Sequence, residues 1–164
     1  MNRPYLLDAN VFIEAARRYY AFDLVPAFWQ ALLDHATAGR VCSIDRVRDE
    51  LIKGNDDLAA WVSGEFHNWF ASTDEVSVIE AYKQIMQWVY EHGQFSDTAK
   101  AAFASGADGW LVAYARVHGH EVVTHEQLNH EIKRKVPIPN VCDAFHVPYI
   151  DTFGMLRSLG IRFG

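Results

Sequence analysis

The chain has 164 residues, half of them apolar, and a formal net charge of −6. That length suits one domain with a sizeable core rather than two, and no stretch approaches the roughly 20 uninterrupted apolar residues of a membrane-crossing helix. The negative balance argues against a protein that grips nucleic acid by bulk electrostatics, because such proteins carry a broad basic face.

The charge is unevenly spread: residues 1–82 hold 7 Lys/Arg against 13 Asp/Glu, and residues 83–164 hold 8 of each. The acidic excess fits either a solubilising surface or a cluster of carboxylates awaiting a cation, and composition does not choose between them. Cys42 and Cys142 are far apart, with no Cys or His at zinc-ligand spacing. They read as buried thiols of a reducing compartment. No basic leader with a long apolar segment opens the chain, so a cytoplasmic location is expected.

In chain order, Tyr5 to Asp8 reads as a strand, and a helix follows from Asn10 with Phe12, Ala15 and Ala16 at helical spacing. Pro26 suits the first turn of a second helix that Gly39 stops. VCSI (41–44) is strand-like, and DRVRDELIKG is a helix with Val47 and Leu51 inward. The spacing of Leu58, Trp61, Val62, Phe66 and Trp69/Phe70 predicts one helix over DDLAAWVSGEFHNWF. A longer helix runs through Tyr82, Ile85, Met86 and Val89 to Gly93, and DGWLVAYARVHG forms another that Gly119 stops. EVVT (121–124) is strand-like, PNVCDAFHV a short helix after Pro139, VPYID (147–151) a strand and TFGMLRSLG a closing helix. Strands alternating with helices predict an α/β fold whose parallel sheet is covered on both faces. In such sheets ligands gather at the carboxyl ends of strands.

Four acids occupy suggestive positions: Asp8 at the end of the first strand, Glu50 beside Leu51, Asp108 opening its helix and Glu126 just past VVT. Acids converging at a sheet edge repel one another unless a metal neutralises them, and a hard divalent cation takes such oxygen ligands. Each also has a plainer reading. Asp8 fits a helix cap, Asp108 a first-turn acid favoured by the helix dipole, and Glu126 a solvated loop acid. Glu50 competes with Asp45 and Asp49 on its own helix. Asn10 suits a metal-bound water or a cap, and Thr124 a hydrogen bond to Asp8 or a strand end.

The ordered set LLDAN, RDELI, GADGWLVAYA and VVTHE resembles the PIN-domain nucleases over nearly the whole chain. RRYYAFDLVPAFW and VPIPNVCDAFHV are similar to an uncharacterised prokaryotic branch of that family. The resemblance implies a single three-layer α/β/α PIN-like domain over 1–164, with a mostly parallel sheet of four to five short strands. It also implies an Mg²⁺- or Mn²⁺-dependent endoribonuclease, commonly the toxin of a type II toxin–antitoxin pair. Asp8, Glu50, Asp108 and Glu126 would then be the catalytic metal ligands, supported by Asn10 and Thr124. Asn10 stands where the family has Ser or Thr, and Glu126 where Asp is commoner.

RNA would be held by local patches rather than net charge. Arg17, Arg18 and Arg46, with Arg116 and the Lys133–Arg134–Lys135 run, are candidates for phosphate, and Tyr19 and Tyr20 for stacking on an unpaired base. The aromatic surplus fits a homodimer or an antitoxin interface. Histidines 118, 120, 125 and 130 invite a zinc reading, but His125 and His130 are five apart, about 140° round a helix. A haloacid-dehalogenase-like phosphatase also starts from a strand-end Asp, yet position 10 is Asn where its second Asp belongs. A catalytically inactive PIN-like binding module is the remaining alternative.

Overall fold

The central strand β1 (Tyr5–Leu7) is buried along its whole length, with Leu6 and Leu7 inaccessible to solvent. A strand enclosed on both faces must be apolar throughout, which is why this segment runs without alternation. In the computed structural model, which describes residues 3–163, β1 is flanked by parallel neighbours on both sides. Leu6 pairs with Cys42 of β2 (Val41–Ile44) and with Val122 of β4 (Glu121–Val123). β3 (Phe70–Ala71) and β5 (Tyr149–Ile150) extend the edges, giving a five-stranded, all-parallel sheet of order β3-β2-β1-β4-β5.

Helices cover both faces, so the fold is a three-layer α/β/α sandwich. The crossovers from β1 to β3 supply α1 (Ala9–Glu14, continued by a π-helical turn Ala15–Tyr19), α2 (Pro26–Thr37), α3 (Asp45–Ile52) and α4 (Asp57–Ser63). The chain then crosses back through α5 (Val76–Glu91), α6 (Asp97–Ser105) and α7 (Asp108–His118) to β4, and through α8 (Ile138–Ala144) to β5 and α9 (Thr152–Ser158). Right-handed crossovers running in opposite directions from β1 put the two helix sets on opposite faces. Phe12, Trp61, Phe66 and Phe70 form an aromatic core on the first face, with Trp61 stacked on Phe66 at 4.8 Å.

Three expectations change. The helix predicted over 56–70 ends at Ser63, because Gly64 breaks it; a 3₁₀ turn at His67–Trp69 and the two-residue β3 follow, with Phe70 paired to Ser43. Helix α6 had no counterpart in the expected elements, although Ser96 caps it by accepting the Ala99 amide at 3.1 Å. In addition, α8 starts at Ile138, with Pro139 inside its first turn rather than before it.

Where α7 begins, the helices approach closely. A methyl group on Gly109 would lie 3.0 Å from both Phe103 and Tyr82 ring atoms. Tyr82 cannot easily give way: it stacks on Trp110 at 3.8 Å and its hydroxyl donates to the Ala104 carbonyl at 3.3 Å. Gly109→Ala is expected to destabilise the fold by about 1–3 kcal/mol through overpacking, seen as a lowered denaturation midpoint. An unchanged midpoint would show that α7 is free to shift.

Candidate metal centre

The sheet order creates a switch point: from β1 the chain goes first to β2 and only later to β4 on the opposite side. Loops diverging there open a crevice at the carboxyl edge, where α/β sheets bind ligands. Asp8 follows β1 and Thr124 follows β4, so both stand at that crevice. The ladder carries them one residue past the strands: the Asp8 amide donates to Val123 O at 3.0 Å and the Thr124 amide to Ile150 O at 3.0 Å.

Asp8 is buried, at 3% exposure, and accepts a hydrogen bond from Thr124 Oγ1 at 3.1 Å. It precedes α1 in extended conformation but makes no side-chain cap bond, so capping does not account for it. Burial first, then repulsion from Asp108 and Glu126, holds its carboxyl well above the ordinary carboxylate range, against the hydrogen bonds from Thr124 and the Ala9 amide. Asp108, half-buried at the start of α7, is pushed up to about 7 by burial, then by Glu126 and Glu50, with Lys135 opposing. The helix dipole favours an acid at this position, but desolvation and like charges outweigh it.

Glu50 and Glu126 are tethered differently. Glu50 is exposed, and its Oε1 accepts the Ala107 amide at 3.0 Å, tying α3 to the start of α7. Its neighbours on α3 have other partners: Asp45 binds the amide and hydroxyl of Thr73, and Asp49 pairs with Arg48. The Glu126 side chain is 12% exposed, with Oε1 accepting the Ile138 amide at 2.9 Å and Oε2 in an ion pair with Lys135 Nζ at 3.1 Å. Its own amide donates to Thr124 Oγ1 at 3.2 Å, so Thr124 links Asp8 to Glu126.

Asp8 and Asp108 thus repel each other and Glu126, Glu50 acts on Asp108, and Lys135 is the cation in contact with Glu126. Among the described residues, no three Asp, Glu, His or Cys side chains close up into a ready-made cage for an ion. The donors are nonetheless all oxygen, and a buried carboxylate repelled by two others is the charge pattern a hard divalent cation relieves. Mg²⁺ typically takes only one or two carboxylates and fills its shell with water, so the residues present fit it without a closed cage.

The nucleic-acid candidates divide. Asn10, Glu14, Arg18, Tyr19, His125 and Glu126 line one cleft of about 450 Å³ beside the acids. Arg17 lines a smaller pocket with Glu50. Tyr20 does not reach the cleft: it stacks on Phe28 at 4.4 Å and packs against Phe163. Arg46 is likewise engaged elsewhere, its guanidinium 3.9 Å above the Trp110 ring and its Nε donating to Thr73. Two of the singled-out histidines have separate partners, His118 pairing with Glu75 at 2.7 Å and His125 with Thr152 at 2.9 Å, while the buried Nδ1 of His120 has no hydrogen-bond partner among the described residues. Glu14 was passed over in sequence, although Asn10, Glu14 and Arg18 recur every fourth residue and so share a helix face.

Residues 5–163 match the family described as a domain of unknown function (DUF4411). The chain belongs to that family. A comparison with curated proteins gives no match. The DUF4411 description names no activity, so the chemistry of this site has to be argued from its carboxylates.

Because Asp108 titrates at a higher pH folded than unfolded, the folded chain binds its proton more tightly. Stability contributed by that proton is full near pH 4 and is lost as pH rises through about 7. In chelator-treated protein, the melting temperature is expected to fall across that window. Asp108→Asn should flatten the slope and melt higher at pH 8, by about 2–4 °C per kcal/mol of repulsion removed. A wild-type midpoint rising with pH between 5 and 7.5 would contradict this.

Proposed function

We propose that the chain is a PIN-like, divalent-cation-dependent endoribonuclease that hydrolyses RNA phosphodiester bonds. The observation that carries the reading is the buried Asp8 carboxylate, facing Asp108 and Glu126 at the switch point of a parallel sheet with one lysine to offset them. The resemblance in LLDAN, RDELI, GADGWLVAYA and VVTHE supports it, because Asp8 and Asp108 repel each other and Glu126, and Glu50 adds to the repulsion on Asp108.

Asp8 and Asp108 would hold Mg²⁺ or Mn²⁺ directly, with Glu50 and Glu126 engaging it directly or through water. A bound cation supplies Lewis acidity toward phosphate and lowers the pKa of water. Thr124 keeps the Asp8 carboxylate aimed into the crevice, and Glu126 is fixed at its mouth by the Ile138 amide and Lys135. A carboxylate of the cluster takes the proton as water attacks phosphorus, and the ribose oxygen opposite leaves. In this reading the chain serves as the toxin of a type II toxin–antitoxin pair, with an antitoxin or a second copy as its protein partner.

A haloacid-dehalogenase-like phosphatase would draw on the Thr124–Asp8 hydrogen bond and on Lys135. It needs a proton donor where Asn10 stands, and an amide does not fill that role. The nuclease reading uses all four carboxylates. No helix among the described residues is long and apolar enough to cross a membrane.

Purified protein is expected to cut labelled single-stranded RNA with Mg²⁺ or Mn²⁺ and not with EDTA. Asp8→Asn should lose at least about a hundredfold in rate while melting no lower than wild type. Full activity of folded Asp8→Asn would overturn the site. Hydrolysis of a phosphomonoester but not of RNA would transfer the assignment to the phosphatase.

A further inference from the structure

Both oxygens of Glu126 already have partners. Oε1 accepts the Ile138 amide at 2.9 Å, and Oε2 lies 3.1 Å from Lys135 Nζ. The carboxylate is nearly enclosed, its side chain 12% exposed, whereas the Lys135 side chain is 51% exposed. A half-exposed lysine ordinarily swings free, and surface pairs of this kind contribute little. This one is placed by its backbone on both sides. The Lys133 carbonyl accepts the Ser96 amide at 2.8 Å, and Val136 and Ile138 are buried in the core.

The same ammonium bears on Asp108, lowering its proton affinity against burial, Glu126 and Glu50. Asp108, Arg134 and Lys135 also line a pocket of about 120 Å³ beside α6. An ion entering that pocket would meet two side chains of its own sign. Two-ion phosphodiesterase sites hold their ions roughly 3.5–4 Å apart, a separation that needs several carboxylates to offset the mutual repulsion. Here the carboxylate a second ion would need is Glu126, and an ammonium is already on it. An ammonium brings one positive charge and three hydrogen-bond donors. It can steady charge on a phosphate, as one of two ions does, but it is no Lewis acid toward bound water.

We propose that the Lys135 ammonium takes the place of a second cation on Glu126, so that the centre holds a single divalent ion. The inference rests on the metal-dependent nuclease reading and deepens it. A divalent ion and an ammonium exclude each other from one carboxylate oxygen, because like charges that close repel strongly where water is scarce. Removing the charge while keeping the bulk of the side chain frees Glu126 for a second ion.

The test is a Mn²⁺ titration in mildly alkaline buffer, with bound ions counted by electron paramagnetic resonance from the loss of the free-ion signal. Wild type should bind one ion and Lys135→Met two, a doubling. Lys135→Arg, which keeps the charge, should stay at one. The ion gained by Lys135→Met should be lost again when Glu126→Gln is added. Melting curves without metal check that each variant is folded, and Lys135→Gln replaces Lys135→Met should the latter fail to fold. Two ions on wild type, one on Lys135→Met, two on Lys135→Arg or two on the double variant would each overturn the proposal. The first of these leaves the metal-dependent reading standing. No ion on wild type overturns that reading, and the proposal with it.

Discussion

Carboxylates removed from water beside one another raise the free energy of the folded state, and they persist only where protons or cations offset the repulsion. In this chain the constraint is concentrated at Asp8, which the central strand delivers into the crevice opposite Asp108 and Glu126. Much of the surrounding architecture bears on it. Thr124 holds the carboxylate from the neighbouring strand, the Ala107 amide holds Glu50 at the start of α7, and Lys135 supplies a single compensating charge. A fold optimised for stability alone would place an apolar residue at position 8; an acid at the strand tip is what the proposed metal site requires.

Lys135 has a double place in this account. It pairs with Glu126 and lowers the proton affinity of Asp108, standing in part for the positive charge the cluster lacks. It reaches the acids from an irregular segment whose course is set by hydrogen bonds to its backbone. Gln94 binds the carbonyls of Asn129 and Ile132, the Ser96 amide binds that of Lys133, and Asn140 clamps both ends of the Asn129 peptide unit. The segment is therefore anchored to α6 and α8, and the ammonium is held at the acids by backbone position more than by its single ion pair.

The buried parallel sheet and the acid positions were legible in the sequence because each has a local signal. A short apolar run ending in Asp marks β1, and helical spacing after Asp108 marks α7. The Thr124–Asp8 hydrogen bond was foreseen as one of two options and is formed. What sequence could not show depends on pairing between distant segments. Two-residue β3 exists because Ser43 offers it an edge, and nothing within Phe70–Ala71 encodes a period. Tyr19 and Tyr20 look equivalent in sequence, yet the π-helical turn sends Tyr20 onto Phe28 and Tyr19 out beside His125 and Phe153. The partnership of Lys135 with Glu126 likewise comes from the fold, since the basic run at 133–135 reads in sequence as a candidate for phosphate.

The measurement that bears most directly on the central claim is the anomalous scattering of crystals grown with Mn²⁺, at a pH near 8, above the value of about 7 to which Asp108 is raised. The account predicts one or two peaks in the crevice between Asp8 and Asp108, within coordination distance of at least one of them. Clean maps with no peak there, and Lys135 still paired to Glu126, would contradict it.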